Sequence, residues 1–173
     1  MDVEVINMAD ITQRRFAVMG DNIFAICEKL LKNQKILKLL KFTDKNPLDH
    51  EDLTEDEADE LLHKNILISP KIPDDDTIKQ SYIIVLLDNF TIDPVNQDFK
   101  VTQIRFDVIC PLDEWVLNDK SLRPYLIMSE IDSEFNEKAL KGVGNLSFSG
   151  ANRLVVSSYL GGYSMKYGQY EFN

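Results

Sequence analysis

Apolar residues recur at helical spacing between positions 23 and 40. Ile23, Ile26, Cys27, Leu30 and Leu31 fall on one face, and Ile36, Leu37 and Leu40 continue the pattern after a break near Asn33. This predicts one long or two short amphipathic helices, with Asp21 as an N-cap. Lys29, Lys32, Lys35, Lys38 and Lys41 supply the solvated side. Residues 1–20 are mixed in pattern and predict no definite element. Further on, Thr54-Glu55-Asp56-Glu57 has the spacing of a capping box, in which the hydroxyl accepts from the backbone three residues on and the Glu reaches back. Ala58, Leu61 and Leu62 give the short helix that follows a buried edge.

After residue 65 the period shortens. Ile66-Leu67-Ile68 predicts a short strand stopped by Pro70 and Pro73, and Asp74-Asp75-Asp76 marks a turn. Residues 81–88 contain the longest apolar run, Ile83 to Leu87, and read as a buried strand. Asp93-Pro94 and Asn96 form a loop. In residues 100–110, Ile104, Phe106, Val108 and Cys110 alternate with Gln103, Arg105 and Asp107, so one face is core and the other polar. Pro111 ends that strand. A helix at about 124–136 starts on Pro124, where a missing N–H costs little. Its Ile127, Met128, Ile131 and Phe135 share a face. Beyond residue 142 the chain is glycine-rich, and Leu146-Ser147-Phe148 and Leu154-Val155-Val156 predict a hairpin, with room for a third strand.

The order of elements predicts a single α+β domain over residues 1–173, with a mainly antiparallel sheet covered by helices on one face. Residues 1–65 form its helical part, which holds the acidic segment 43–60, and residues 66–173 its sheet-and-helix part. No internal repeat is visible. The expected core includes Ile104, Phe106, Val108, Ile127, Ile131 and Phe135.

Composition narrows the function. At 173 residues, 44% hydrophobic and 28% charged, the chain can bury a core and is not of disordered type. A net charge of −10 argues against non-specific nucleic-acid binding, which needs clustered cations. No run approaches the roughly 20 apolar residues of a membrane span, and the acidic start Met1-Asp2-Val3-Glu4 does not read as a signal peptide. Cys27 and Cys110 fall on apolar faces, so a core role and a reducing compartment are expected.

The candidate chemistry is thin. The acidic segment lacks the glycine and spacing of an EF-hand, and reads as a solvated surface feature. Asp74-Asp75-Asp76 reads the same way. His50 and His63 fit no zinc spacing. Gly142-Val143-Gly144 lacks the third glycine of a dinucleotide loop. Asp107, Asp113 and Glu114, near a strand end, would be the carboxylates of an enzyme if there were one. No catalytic residue, metal or cofactor is therefore expected. Trp115 either covers a core edge or anchors a contact.

Charge and aromatics point to surfaces instead. Residues 43–60 hold nine carboxylates and one lysine, whereas residues 138–173 hold Lys138, Lys141, Arg153 and Lys166 against Glu171. Tyrosines with glycines crowd the same C-terminal stretch. Tyr159, Tyr163 and Tyr167 are candidate contact residues, with Arg153 and Lys166 steering. Equally, all five could only complete the chain's own sheet.

Ile104 to Cys110, Trp115, Leu122-Arg123-Pro124-Tyr125 leading into Ile131-Asp132, the stretch Gly142 to Phe148, and Gly162-Tyr163 together resemble the neck or tail-completion proteins of long-tailed bacteriophages. The order of elements over residues 66–173 is similar to the tail terminators. The resemblance implies a non-enzymatic virion protein that forms a homo-oligomeric ring, commonly a hexamer. Its partners would be the tail tube and the head connector. DNA would pass through an acidic lumen, and no membrane would be involved. Assembly would take place in the bacterial cytoplasm. A head-completion or stopper protein of the same neck would look alike, and a cytoplasmic acidic binding or regulatory protein is the rival class.

Overall fold

The computed structural model describes residues 15–70, 80–92, 100–140 and 144–170. The expected turn at Asp74 to Asp76, the Asp93-Pro94 loop and Gly142-Val143 lie outside them. The helical period produces two helices, α1 (Arg15–Leu30) and α2 (Gln34–Lys41). The break falls where Asn33 caps α2, its side chain accepting from the Ile36 N–H at 3.1 Å. Asp21 is not a cap, because α1 begins six residues earlier and leaves it on an exposed interior turn. The lysines are not all solvated either. Lys29 donates to the Glu134 carbonyl at 2.6 Å and lies over the Phe135 ring, and Lys38 is drawn down onto Asp52 at 2.7 Å.

The capping box forms as read. Thr54 and Glu57 exchange hydrogen bonds at the start of α3 (Glu55–Asp59), and Ala58 and Leu61 pack beneath it on Leu37 and Leu53. The acidic segment is mostly exposed, yet Pro47 and Leu53 pin it to the core.

The strands are β1 (Ile66–Leu67), β2 (Tyr82–Ile92), β3 (Lys100–Pro111), β4 (Ala139–Leu140), β5 (Gly144–Val155) and β6 (Leu160–Tyr170), with α4 (Arg123–Phe135) between β3 and β4. They form one sheet in the order β1-β2-β3-β6-β5-β4, with only β1 and β2 parallel. The two apolar segments expected to be separate near the C-terminus are one continuous β5. A register shift between Phe148 and Gly150 bends it, and Gly150 supplies the positive φ of 146° there.

Strand alternation sends Ile83, Val85, Ile104, Phe106, Val108, Cys110, Met165 and Tyr167 to the face covered by α1, α2 and α4. There they meet Ile26, Leu30, Ile36, Ile127, Ile131 and Phe135, so all six expected core residues are buried. Phe106 is central: its ring lies 5.1 Å from that of Phe135 and edge-on to Tyr167 at 5.7 Å. The opposite face is less polar than β3 alone suggested. Tyr82, Ile84, Ile109 and Leu160 bury there as a second cluster, and polar residues hold only the rest.

Candidate interaction surface

The polar part of the second face carries an ion cluster. Arg105 reaches Asp88 at 2.7 Å and Asp107 at 3.2 Å, so Asp107 is buried with a guanidinium partner. Glu114 lies on the helical side, 4.0 Å from the guanidinium of Arg123. Asp107 and Glu114 are thus on opposite sides of the sheet, and Asp113 is exposed. The three carboxylates do not converge.

Arg123 is fully buried, a feature the sequence pattern hid behind Pro124. Its guanidinium donates to the carbonyls of Leu39 (2.7 Å), Phe42 (2.7 Å), Asp44 (2.6 Å) and Glu114 (3.3 Å). It therefore caps the C-terminus of α2, where a positive charge suits the helix dipole, and ties α2 to the link between β3 and α4. This is a structural clamp facing no opening.

The other reactive side chains are also absorbed. Burial pushes the Cys27 thiol up to about 11 and the Cys110 thiol up to about 12, which makes both poor nucleophiles. His50 pairs with Asp44 at 2.7 Å and stacks on Phe42. His63 occupies a left-handed turn with φ 66°. Among the described residues no three potential metal ligands come together, and no helix is long and apolar enough to cross a membrane.

What stands out is apolar surface at one end of the helix-covered face. Leu112 and Trp115 lie over Gly161 of β6, so that an added Cβ there would meet the Leu112 side chain at 3.4 Å and the Trp115 ring at 3.9 Å, ordinary contact distances. The Trp115 indole donates to the Cys110 carbonyl at 3.2 Å, so this residue covers the core edge. Tyr163 follows, its ring 6.2 Å from Trp115 and 5.3 Å from Tyr125, and the two tyrosine hydroxyls hydrogen-bond at 2.7 Å. Val155 pairs with Gly161 across the ladder, and Arg153 with Tyr163. Tyr125 is 48% exposed, Leu112 47% and Val155 72%, so the patch is continuous and open to solvent. Among the described residues the adjoining edge of β5 is covered by β4, Glu137 and Lys138 at Gly144 to Leu146 and by the Asn136 side chain at Phe148, and past Phe148 no strand pairs with it.

The five expected contact residues are not brought together. Tyr163 and Arg153 lie in the patch. Tyr167 does not: it is fully buried beside Phe106, and its hydroxyl donates to Asp132 at 2.8 Å, so it cannot touch a partner. Lys166 pairs with Arg105 on the ladder and therefore lies on the opposite face from Arg153. Tyr159, in the turn before β6, packs against the second cluster. The alternation of β6 separates residues that are neighbours in the chain. Tyr125, Leu112 and Val155 were missed. Their signals were an aromatic off the apolar stripe of α4 and consecutive apolar residues at a strand end.

A family model described as YomW matches residues 33–168, from the cap of α2 into β6. The match takes in the acidic segment, which the resemblance to phage neck proteins left out. No curated protein and no solved structure matches the chain.

Proposed function

This chain belongs to the YomW family and is a phage-related protein, and from that premise we propose that it is a non-enzymatic component of the virion neck, a tail terminator that self-assembles into a ring. The ring caps the last tail-tube subunits on one side and offers a docking surface to the head connector on the other. The exposed aromatic end built from Leu112, Tyr125, Val155 and Tyr163 supports this reading most. A cluster of large side chains left open beside an unpaired strand edge is the kind of surface that recognises protein. The α+β architecture, with helices on one face, agrees with the neck resemblance of residues 66–173.

The test uses the tail-tube subunits of the same phage. Added while tubes are growing, the protein should halt elongation and sit as a ring at the tube end in electron micrographs. Tubes that lengthen unaffected, with no protein at their ends, would overturn the terminator assignment.

A further inference from the structure

We propose that copies of this chain join head to tail, the aromatic end of one copy receiving the acidic α3 turn of the next. The proposal rests on the assembly reading above and adds which surfaces meet. The acidic turn lies at one margin of the sheet, and the aromatic end spans its middle and the β5 side. α3 leads directly into β1, through the Leu62–Ile66 bridge and the Ile66 N–H bonded to the Leu61 carbonyl. The aromatic end runs from Leu112, just past β3, across Tyr163 of β6 to Val155 of β5. In the order β1-β2-β3-β6-β5 it begins two strand spacings from β1 and ends four away, roughly 10 to 19 Å at ~4.8 Å each. The two surfaces are separated within one copy, and a chain of copies brings them together.

Charge selects this pairing. Residues 144–170 carry no carboxylate in a chain of net charge −10, and their cation on the patch's face is Arg153, Lys166 lying on the other. Arg153 is exposed within the patch. On the other side, Glu55, Asp56, Asp59 and Glu60 are all exposed at α3, whereas Glu57 is taken by Lys41 and Asp52 by Lys38. Acidic end against acidic end repels, and patch against patch opposes two copies of Arg153. The heterologous contact sets Arg153 against the exposed carboxylates of α3, and a heterologous contact closes into a ring when its rotation allows.

The experiment mixes two variants that are each defective at one surface. Tyr125→Ser with Arg153→Glu disables the aromatic end; Asp59→Lys with Glu60→Lys disables the acidic end. All four positions are exposed, and circular dichroism checks that each variant folds. Asp59→Asn with Glu60→Gln serves as a milder second version. By light scattering the wild type should be oligomeric and each variant alone monomeric. An equimolar mixture should give a species of twice the 19.9 kDa chain mass, because each variant keeps one good surface. An oligomeric wild type with a mixture that stays monomeric, or with an acidic-end variant that assembles normally, overturns the head-to-tail proposal alone. A wild type that is monomeric at every concentration overturns the assembly reading itself.

Discussion

At Gly162 the β3 backbone comes so close that an added Cβ would lie 1.8 Å from the Val108 carbonyl oxygen. Gly162→Ala must push the two central strands apart, at a cost on the order of 1–3 kcal/mol. A denaturant titration that finds less than ~0.5 kcal/mol would show that β3 and β6 do not approach in this way. Two residues from Met165, Tyr167 shows why aromatic content alone misleads. Tyrosine is as suited to a contact surface as to a core with one polar tip, and only register decides between them. Tyr167→Phe removes the hydroxyl held by Asp132 and should cost about 1 kcal/mol. Tyr167→Ala also empties a fully buried site and should cost about 3–5 kcal/mol. Equal small losses for both would put the ring at the surface.

Arg123 joins elements through four carbonyls. Removing its side chain leaves four carbonyls and Glu114 without their cation, so Arg123→Ala should cost on the order of 3–5 kcal/mol. A melt within ~1 kcal/mol of wild type would contradict the clamp. The α3 cap gives a pH signature. The hydrogen bond from Lys41, helped by the Thr54 backbone and hydroxyl, lowers the Glu57 carboxyl from 4.5 to about 2. A carboxylate depressed on folding stabilises above its unfolded value, and the contribution disappears as pH falls through the folded one. Wild type should therefore lose stability between pH 4.5 and about 2 more steeply than Glu57→Gln. Superimposable acid profiles would refute this. These elements were largely legible beforehand, since Asn33, the Thr54 box, Pro124 and the alternation of β3 act through local chemistry. What stayed hidden depends on distant partners: the continuity of β5 through its bulge, the burial of Arg123, and the apolar half of the second face.

For the whole molecule, the sequence carried the charge asymmetry, and the fold set the acidic α3 beside β1 and Arg153 on β5. The candidate surface was only partly legible. Tyr163 and Arg153 were named, but Tyr167 and Lys166 point elsewhere because β6 alternates, and Tyr125 and Leu112 join the patch through chain segments distant from it in sequence. The central claim is that this aromatic end is what holds copies together. Light scattering of the wild type and of Tyr125→Ser/Val155→Ser, with the buried Tyr167 left intact, tests it most directly. The account predicts an oligomer that collapses to a 19.9 kDa monomer in the variant while its circular dichroism remains that of the folded chain. A variant that keeps the wild-type mass would contradict it.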